Sequence, residues 1–217
     1  MVTTDSVVFT FQDRKLQVLL LMNGPDVSNT AWTLPGGVIS SAETIEDCSI
    51  RVLRDEAGVD VNYLQQVKAY CDFNRESRES IINVTLMGLV RMPEFQVDHN
   101  FSRTRWFNVN HLPEMPREYI TLINDALVYL KERIFFEPIA FELLTEYFTM
   151  GQVQCLYETI LETEFDRRNF AKKMNHSGFL TPRRLEAKAP NGRSRIIYKF
   201  NDKKYKDFKQ YKFRLEF

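Results

Sequence analysis

Cysteine is scarce in this chain, with three in 217 residues, and the three lie far apart as Cys48, Cys71 and Cys155. An odd and scattered set makes neither a zinc-ligand pattern nor a disulfide framework, which points to a reducing cytosol. Long hydrophobic runs are lacking too. No apolar run exceeds Val18–Met22, far too short to span a bilayer, so no membrane partner is expected. The first residues, MVTTDSVVFTFQDRK, carry neither the basic region nor the cleavage site of a signal peptide, and a cytoplasmic location is expected. There are no long internal repeats. Net charge is also missing: 29 basic side chains face 29 acidic ones.

That zero hides a division. Residues 1–166 hold 13 Lys and Arg against 25 Asp and Glu, a net of −12, whereas residues 167–217 hold 16 against 4, a net of +12. A basic block of that size fits a polyanionic partner; it also fits a solvated tail. Hydrophobic residues at 44% and charged residues at 27% suit a soluble globular protein of one large domain or two small ones.

The runs Asp5–Phe11 and Lys15–Met22 are apolar and rich in β-branched residues, and read as a hairpin. A loop, NGPDVSNT, precedes AWTLPGGVIS, a short strand with a Gly-Gly turn. Thr44 is placed to cap a helix reaching about Ala57, with Asp47 completing a variant capping box and Gly58 ending it. Leu64–Phe73, Ile81–Arg91 and 104–109 read as strands, and Tyr119–Ile134 as an amphipathic helix. This is an α+β order. After FFEPIAFELL come two helical stretches, Met150–Glu162 and Arg167–His176, then strands Arg184–Lys188 and Arg195–Phe200 around an Asn191-Gly192 turn. Helix, turn, helix and basic hairpin is the winged-helix order. The expected domains are residues 1–135 and 136–217.

From Gly37 the chain reads GVISSAETIEDCSIRVLRDEAGV. Gly37, Glu43, Arg51, Leu53, Glu56, Gly58 and Val59 fit the pattern G-x5-E-x7-R-E-U-x-E-E-x-G-U, Asp55 is a conservative match, and Val52 stands where a carboxylate belongs. This resembles the Nudix box. The resemblance implies a Nudix α/β/α sandwich and, in an intact box, Mg²⁺-assisted hydrolysis of a diphosphate. Positions 52, 55 and 56 share one helix face, because 3.6 residues make a turn. Mg²⁺ needs oxygen ligands, and Val52 supplies two methyl groups. The box is therefore degenerate, with no catalytic residue expected. The residual pair, Asp55 and Glu56, would hold at most a weakly bound Mg²⁺, and also fits a solvated helix end.

NRESR, residues 74–78, resembles the Arg-Asp-x-Arg segment of ADP-ribose-binding Nudix proteins, with Glu76 in the Asp position. Arg75, Glu76 and Arg78 are the candidate effector-binding residues, since guanidinium forks suit phosphate or carboxylate oxygens. The same residues would serve an ordinary charged loop. Where regulators of this group often carry Asp-His, this chain has Glu118-Tyr119.

Pro138, Leu143-Leu144, Phe148-Thr149, Gln152, Leu156-Tyr157-Glu158 and Arg167-Arg168-Asn169-Phe170, with Gly192-Arg193 and Tyr198 further on, are similar to the C-terminal half of Nudix-related transcriptional regulators. These join an effector-sensing Nudix domain to a winged helix and act on NAD- or sugar-utilisation genes. Asp166 can cap the second helix, whose Arg167, Arg168, Asn169, Lys172 and Lys173 would present donors to a major groove. Arg183, Arg184, Lys188, Arg193 and Arg195 would meet phosphates. The expected protein is a homodimeric regulator that binds double-stranded operator DNA and senses a sugar or ADP-ribose-like effector. The alternative is an active ADP-ribose-type pyrophosphohydrolase with a basic accessory domain; a scaffold without a ligand is a third reading.

Overall fold

The structure, a computed structural model, describes residues 1–23, 31–74, 79–91, 103–188, 194–201 and 203–205. The chain divides into two compact units, one of Met1–Gln12 and Leu16–Tyr129, the other of Asp13–Lys15 and Leu130–Phe217.

The first unit is built on a mixed sheet. Its strands are β1 (Val2–Gln12), β2 (Lys15–Asn23), β3 (Ala31–Thr33), β4 (Gly36–Val38), β5 (Tyr63–Asn74), β6 (Glu79–Val90) and β7 (Thr104–Asn108). The order is β3-β2-β1-β6-β5, with β4 on β1 and β7 on β2. The hairpin turn between β1 and β2 holds Asp13 and Arg14 at φ 51° and 61°, as a two-residue turn matched to strand twist requires. AWTLPGGVIS, expected as one strand, is two: β3 joins β2, and β4 joins β1. β1 and β6 run parallel, from Val2 opposite Ile82 to Thr10 opposite Val90.

Helix α1 (Ile45–Ala57) covers one face of this sheet. Val8, Leu19, Leu21, Leu53, Ala57, Val59 and Val90 form the core there. Each fully buried aliphatic side chain of this size contributes about 1.5–3 kcal/mol of transfer free energy. Nearer the start of α1 the contact turns polar, with Ser6 Oγ 2.6 Å from Ser49 Oγ and Thr4 Oγ1 3.6 Å from Cys48 Sγ. Residues alternate faces along a strand, so Val7, Phe9, Met87 and Leu89, all fully buried, fill the other face. Helix α2 (Arg117–Arg133) lies on that side, where its Asp125 bonds Lys68 and Tyr70 of β5. A helix on each face of one sheet is the expected α/β/α sandwich.

The second unit is a winged helix. A 3₁₀ segment, Pro138–Leu143, leads to α3 (Met150–Leu161), α4 (Arg167–His176) and the hairpin β8 (Leu180–Lys188) with β9 (Ser194–Phe200). Its interior is aromatic. Phe141 stacks on Phe200 at 4.8 Å, and Tyr157 meets Phe170 edge-on at 5.9 Å. β8 begins four residues before the expected Arg184 and runs through Pro182. The register permits this: Pro182 lies opposite Tyr198, whose N–H and C=O both bond Phe148 on its other side. No donor is needed from position 182, so proline costs no ladder bond there.

Candidate functional site

Helix α1 starts where Thr44 Oγ1 accepts from Asp47 N at 3.1 Å while Asp47 Oδ2 accepts from Thr44 N at 3.2 Å. It ends at Gly58, whose φ of 64° suits a residue without Cβ. Between these caps the box residues separate. Val52 is 1% exposed. A Cβ built on Gly37 would lie 2.9 Å from Val52 Cγ2, so the valine fills the space beneath the Gly36-Gly37 strand. Asp55 and Glu56 stand in solvent. No group of three or more His, Cys, Asp or Glu side chains among the described residues could hold a metal ion. The Mg²⁺ cluster implied by an intact box does not fit these donors. Glu43 and Arg51 are a fork, with Arg51 Nε and Nη2 donating to the carboxylate at 3.0 and 2.8 Å. Ser40 N also donates to it, and these bonds, Arg51 first, lower the Glu43 pKa to about 2.

On the opposite face the strands carry a polar band that reading the chain element by element missed. Pairing sets Tyr70, Asn83, Thr3 and Val38 in one row across β5, β6, β1 and β4, and Lys68, Thr85, Asp5 and Gly36 in the next. Asn83 Nδ2 donates to Asp5 Oδ2 at 2.6 Å and to Thr3 Oγ1 at 3.1 Å. Thr85 Oγ1 donates to Asn83 Oδ1 at 3.4 Å. Gly36 leaves room for the carboxylate, since a Cβ there would lie 2.2 Å from Asp5 Oδ1. Burial raises the Asp5 pKa to about 6, partly offset by the Asn83 bond. Burial first, then the charges of Asp5 and Glu118, push the hydroxyl pKa of Tyr119 on α2 up. The signal in the sequence was two pairs of polar residues two apart, Thr3 with Asp5 on β1 and Asn83 with Thr85 on β6.

In the second unit Asp166 caps α4, accepting from Asn169 N at 2.9 Å. Phe170 and Met174, each 1% exposed, anchor the helix inward. Arg167, Arg168, Asn169, Lys172 and Lys173 are all exposed. Arg168, Lys172 and His176 recur every fourth residue on the outward side; His176 was missed although that spacing extends to it. The turn before α4 is fixed by Glu158 Oε1, which accepts from Phe165 N at 3.0 Å and from Gln154 Nε2 at 2.8 Å. Arg183 and Arg184 are exposed on β8, with the Arg183 guanidinium 5.6 Å from the Tyr147 ring centre. Arg75, Glu76, Arg78 and Arg193 lie outside the described residues, as do the side chains of Lys188 and Arg195.

An α/β/α sandwich with a metal helix short of one carboxylate, joined to a winged helix with a cationic second helix, defines a two-domain class. Residues 2–125 match the NUDIX domain, and residues 140–200 match the NrtR DNA-binding winged helix domain. The chain belongs to the Nudix family and carries an NrtR-type winged helix after its Nudix domain. It is similar to the ADPR responsive transcriptional repressor NtrR of Acinetobacter baylyi, 23% identical over 206 residues, 92% of this chain and 82% of that protein. It shares its fold with Shewanella oneidensis NrtR crystallised with a 27mer DNA, at a TM-score of 0.80, 24% identity and 99% coverage of each chain. A MutT/nudix family protein from Enterococcus faecalis superposes with a TM-score of 0.71 at 18% identity, covering 92% of this chain and 87% of that one.

Proposed function

We propose that this chain is a transcriptional regulator that binds operator DNA as a homodimer through residues 136–217 and senses a small molecule through residues 1–135. The observation that carries it is α4, a capped helix with two buried anchors and an outward face of Arg168, Asn169 and Lys172. A helix that reads a major groove needs that division. Arg168 and Asn169 serve base edges; Arg167, Lys172, Lys173, Arg183, Arg184, Arg193 and Arg195 serve phosphates. The Acinetobacter relative is named for its response to ADPR, and the Shewanella relative was crystallised with DNA. By analogy the effector is ADP-ribose-like or a sugar, with Arg75, Glu76 and Arg78 as candidates for its charged part. A ligand changes DNA affinity only through unequal affinity for the two arrangements of the dimer.

The test is binding of the full chain to DNA from upstream of its own gene and to scrambled DNA, at two salt concentrations. Preference for the upstream DNA is expected, with two copies of α4 on a palindrome. Equal affinity for both at each salt overturns the regulator reading. Adding ADP-ribose or a pentose should shift the midpoint of binding; unchanged affinity with every effector tried overturns the sensing role.

A further inference from the structure

The outer face of the wing sets two cations on one aromatic ring. Strand partners share a face, so Thr181 and Arg183 of β8 stand beside Lys199 and Ile197 of β9. Phe200, the next residue, turns to the other side and stacks on Phe141 in the interior. The Tyr147 ring centre lies 5.6 Å from the Arg183 guanidinium carbon and 5.8 Å from Lys199 Nζ. The backbone that carries this ring is fixed. Phe148, 2% exposed, pairs with Tyr198 through bonds of 3.0 and 2.7 Å, and Thr145 Oγ1 donates to the Tyr147 carbonyl at 2.8 Å. The two cations differ in what else they meet. Lys199 Nζ lies 2.5 Å from Glu146 Oε1, in an exposed ion pair. Arg183 is exposed, and its guanidinium has no ion pair among the described residues.

We propose that Tyr147 is a positioning residue for DNA binding: its ring holds the Arg183 guanidinium ready for one phosphate, while Glu146 withholds Lys199 from a second. An aromatic face attracts a cation, and a planar guanidinium can rest on it with its N–H donors still free at the edge. Arg183 then gives up less rotamer freedom when a phosphate arrives than a side chain waving in solvent would. Lys199 is different. Its ammonium is already neutralised by a carboxylate, and that carboxylate would stand against the charge of an approaching phosphate. Arg183, Lys199 and Glu146 together carry one positive charge, so the outer face of each wing serves one phosphate and not two. The inference deepens the DNA-binding reading of residues 136–217 and rests on it.

Salt titration of the full-length chain on the upstream DNA and on scrambled DNA, read by fluorescence anisotropy, tests both halves. Tyr147→Leu should weaken binding to both DNAs about 2- to 5-fold for each wing engaged, the range of one exposed cation–π contact, while Tyr147→Phe keeps the ring and the wild-type affinity. On top of Arg183→Ala, Tyr147→Leu should have no further effect, because the ring acts through that side chain. Glu146→Gln should tighten binding and steepen the slope of log affinity against log salt by about 1 for each wing, and should lose this effect when combined with Lys199→Ala. Thermal unfolding of every variant accompanies the titrations, and Tyr147→Met replaces Tyr147→Leu if the latter does not unfold cooperatively. Wild-type affinity in Tyr147→Leu, an equal loss in Tyr147→Phe, or an undiminished loss on top of Arg183→Ala overturns the positioning role. An unchanged slope in Glu146→Gln overturns the withholding of Lys199. A wild-type chain that binds neither DNA overturns the regulator reading, and this inference with it.

Discussion

Asp5 and Val52 sit on opposite faces of one sheet, and each departs from what its surroundings favour. A carboxylate in a half-buried place is most stable when protonated. Because its folded-state pKa is about 6 against an ordinary 3.8, the native state keeps a proton that the unfolded chain releases. That contribution is complete below pH 3.8 and is lost as pH rises through about 6. Asp5→Asn should therefore raise stability at pH 7.5 by up to about 2 kcal/mol, with the gain closing towards pH 4, as read by urea unfolding across that range. A wild type at least as stable as the variant at both pH values contradicts this. Val52 is the reverse case, an apolar residue where a charge would be functional in a hydrolase. Val52→Glu places a carboxylate against Gly37 in a packed interior and should cost about 2–4 kcal/mol. It should not restore Mg²⁺-dependent hydrolysis of ADP-ribose, because Asp55 and Glu56 are exposed and no hydrogen bond among the described residues orients them as metal ligands. Phosphate-product release assays on the wild type and the variant check this; turnover by the wild type would return the pyrophosphohydrolase reading.

At the scale of elements, α4 was legible from its sequence because everything that specifies it is local. Asp166, Phe170 and Met174 provide a cap and two anchors within nine residues, and the expected bounds Arg167–His176 are those observed. Asp166→Ala should lower stability by about 1 kcal/mol in chemical unfolding. Its effect on operator binding should differ in kind from that of the cations. Lys172→Ala should reduce the slope of log affinity against log salt by about 1 for every DNA sequence, whereas Arg168→Ala should cost about 1–3 kcal/mol at the preferred site and relax the preference. The capping box of α1 was equally legible, its partners being three residues apart. The strand pairing was not. β4 is three residues long, and nothing in GGV states that it will lie on β1. The polar band needs three strands in register before its members meet, so Thr3 and Asn83, 80 residues apart, give no joint signal in the chain. The four residues of β8 ahead of the expected Arg184 include Pro182, whose place in a strand depends on the partner of Tyr198, which the chain does not state locally.

Over the whole molecule, the acidic majority of the chain and its basic end divide near the start of α4. The acidic part repels a duplex, while the basic part attracts it. Raising salt should weaken DNA binding steeply, and replacing Arg183 and Arg184 together should flatten that dependence by about 2 in slope if each meets one phosphate. The two units also differ in how far along the chain their partners lie. In the second, Pro182 meets Tyr198, and α3 meets α4, over short spans. In the first, Val2 pairs with Ile82 and Thr10 with Val90, in parallel. Such closure carries a large loop entropy before any contact rewards it, which makes this sheet the slower part to form. During synthesis β1 must wait until residue 90 has left the ribosome. The helices and hairpin of the second unit pair over shorter spans, so their assembly can begin as soon as β9 emerges.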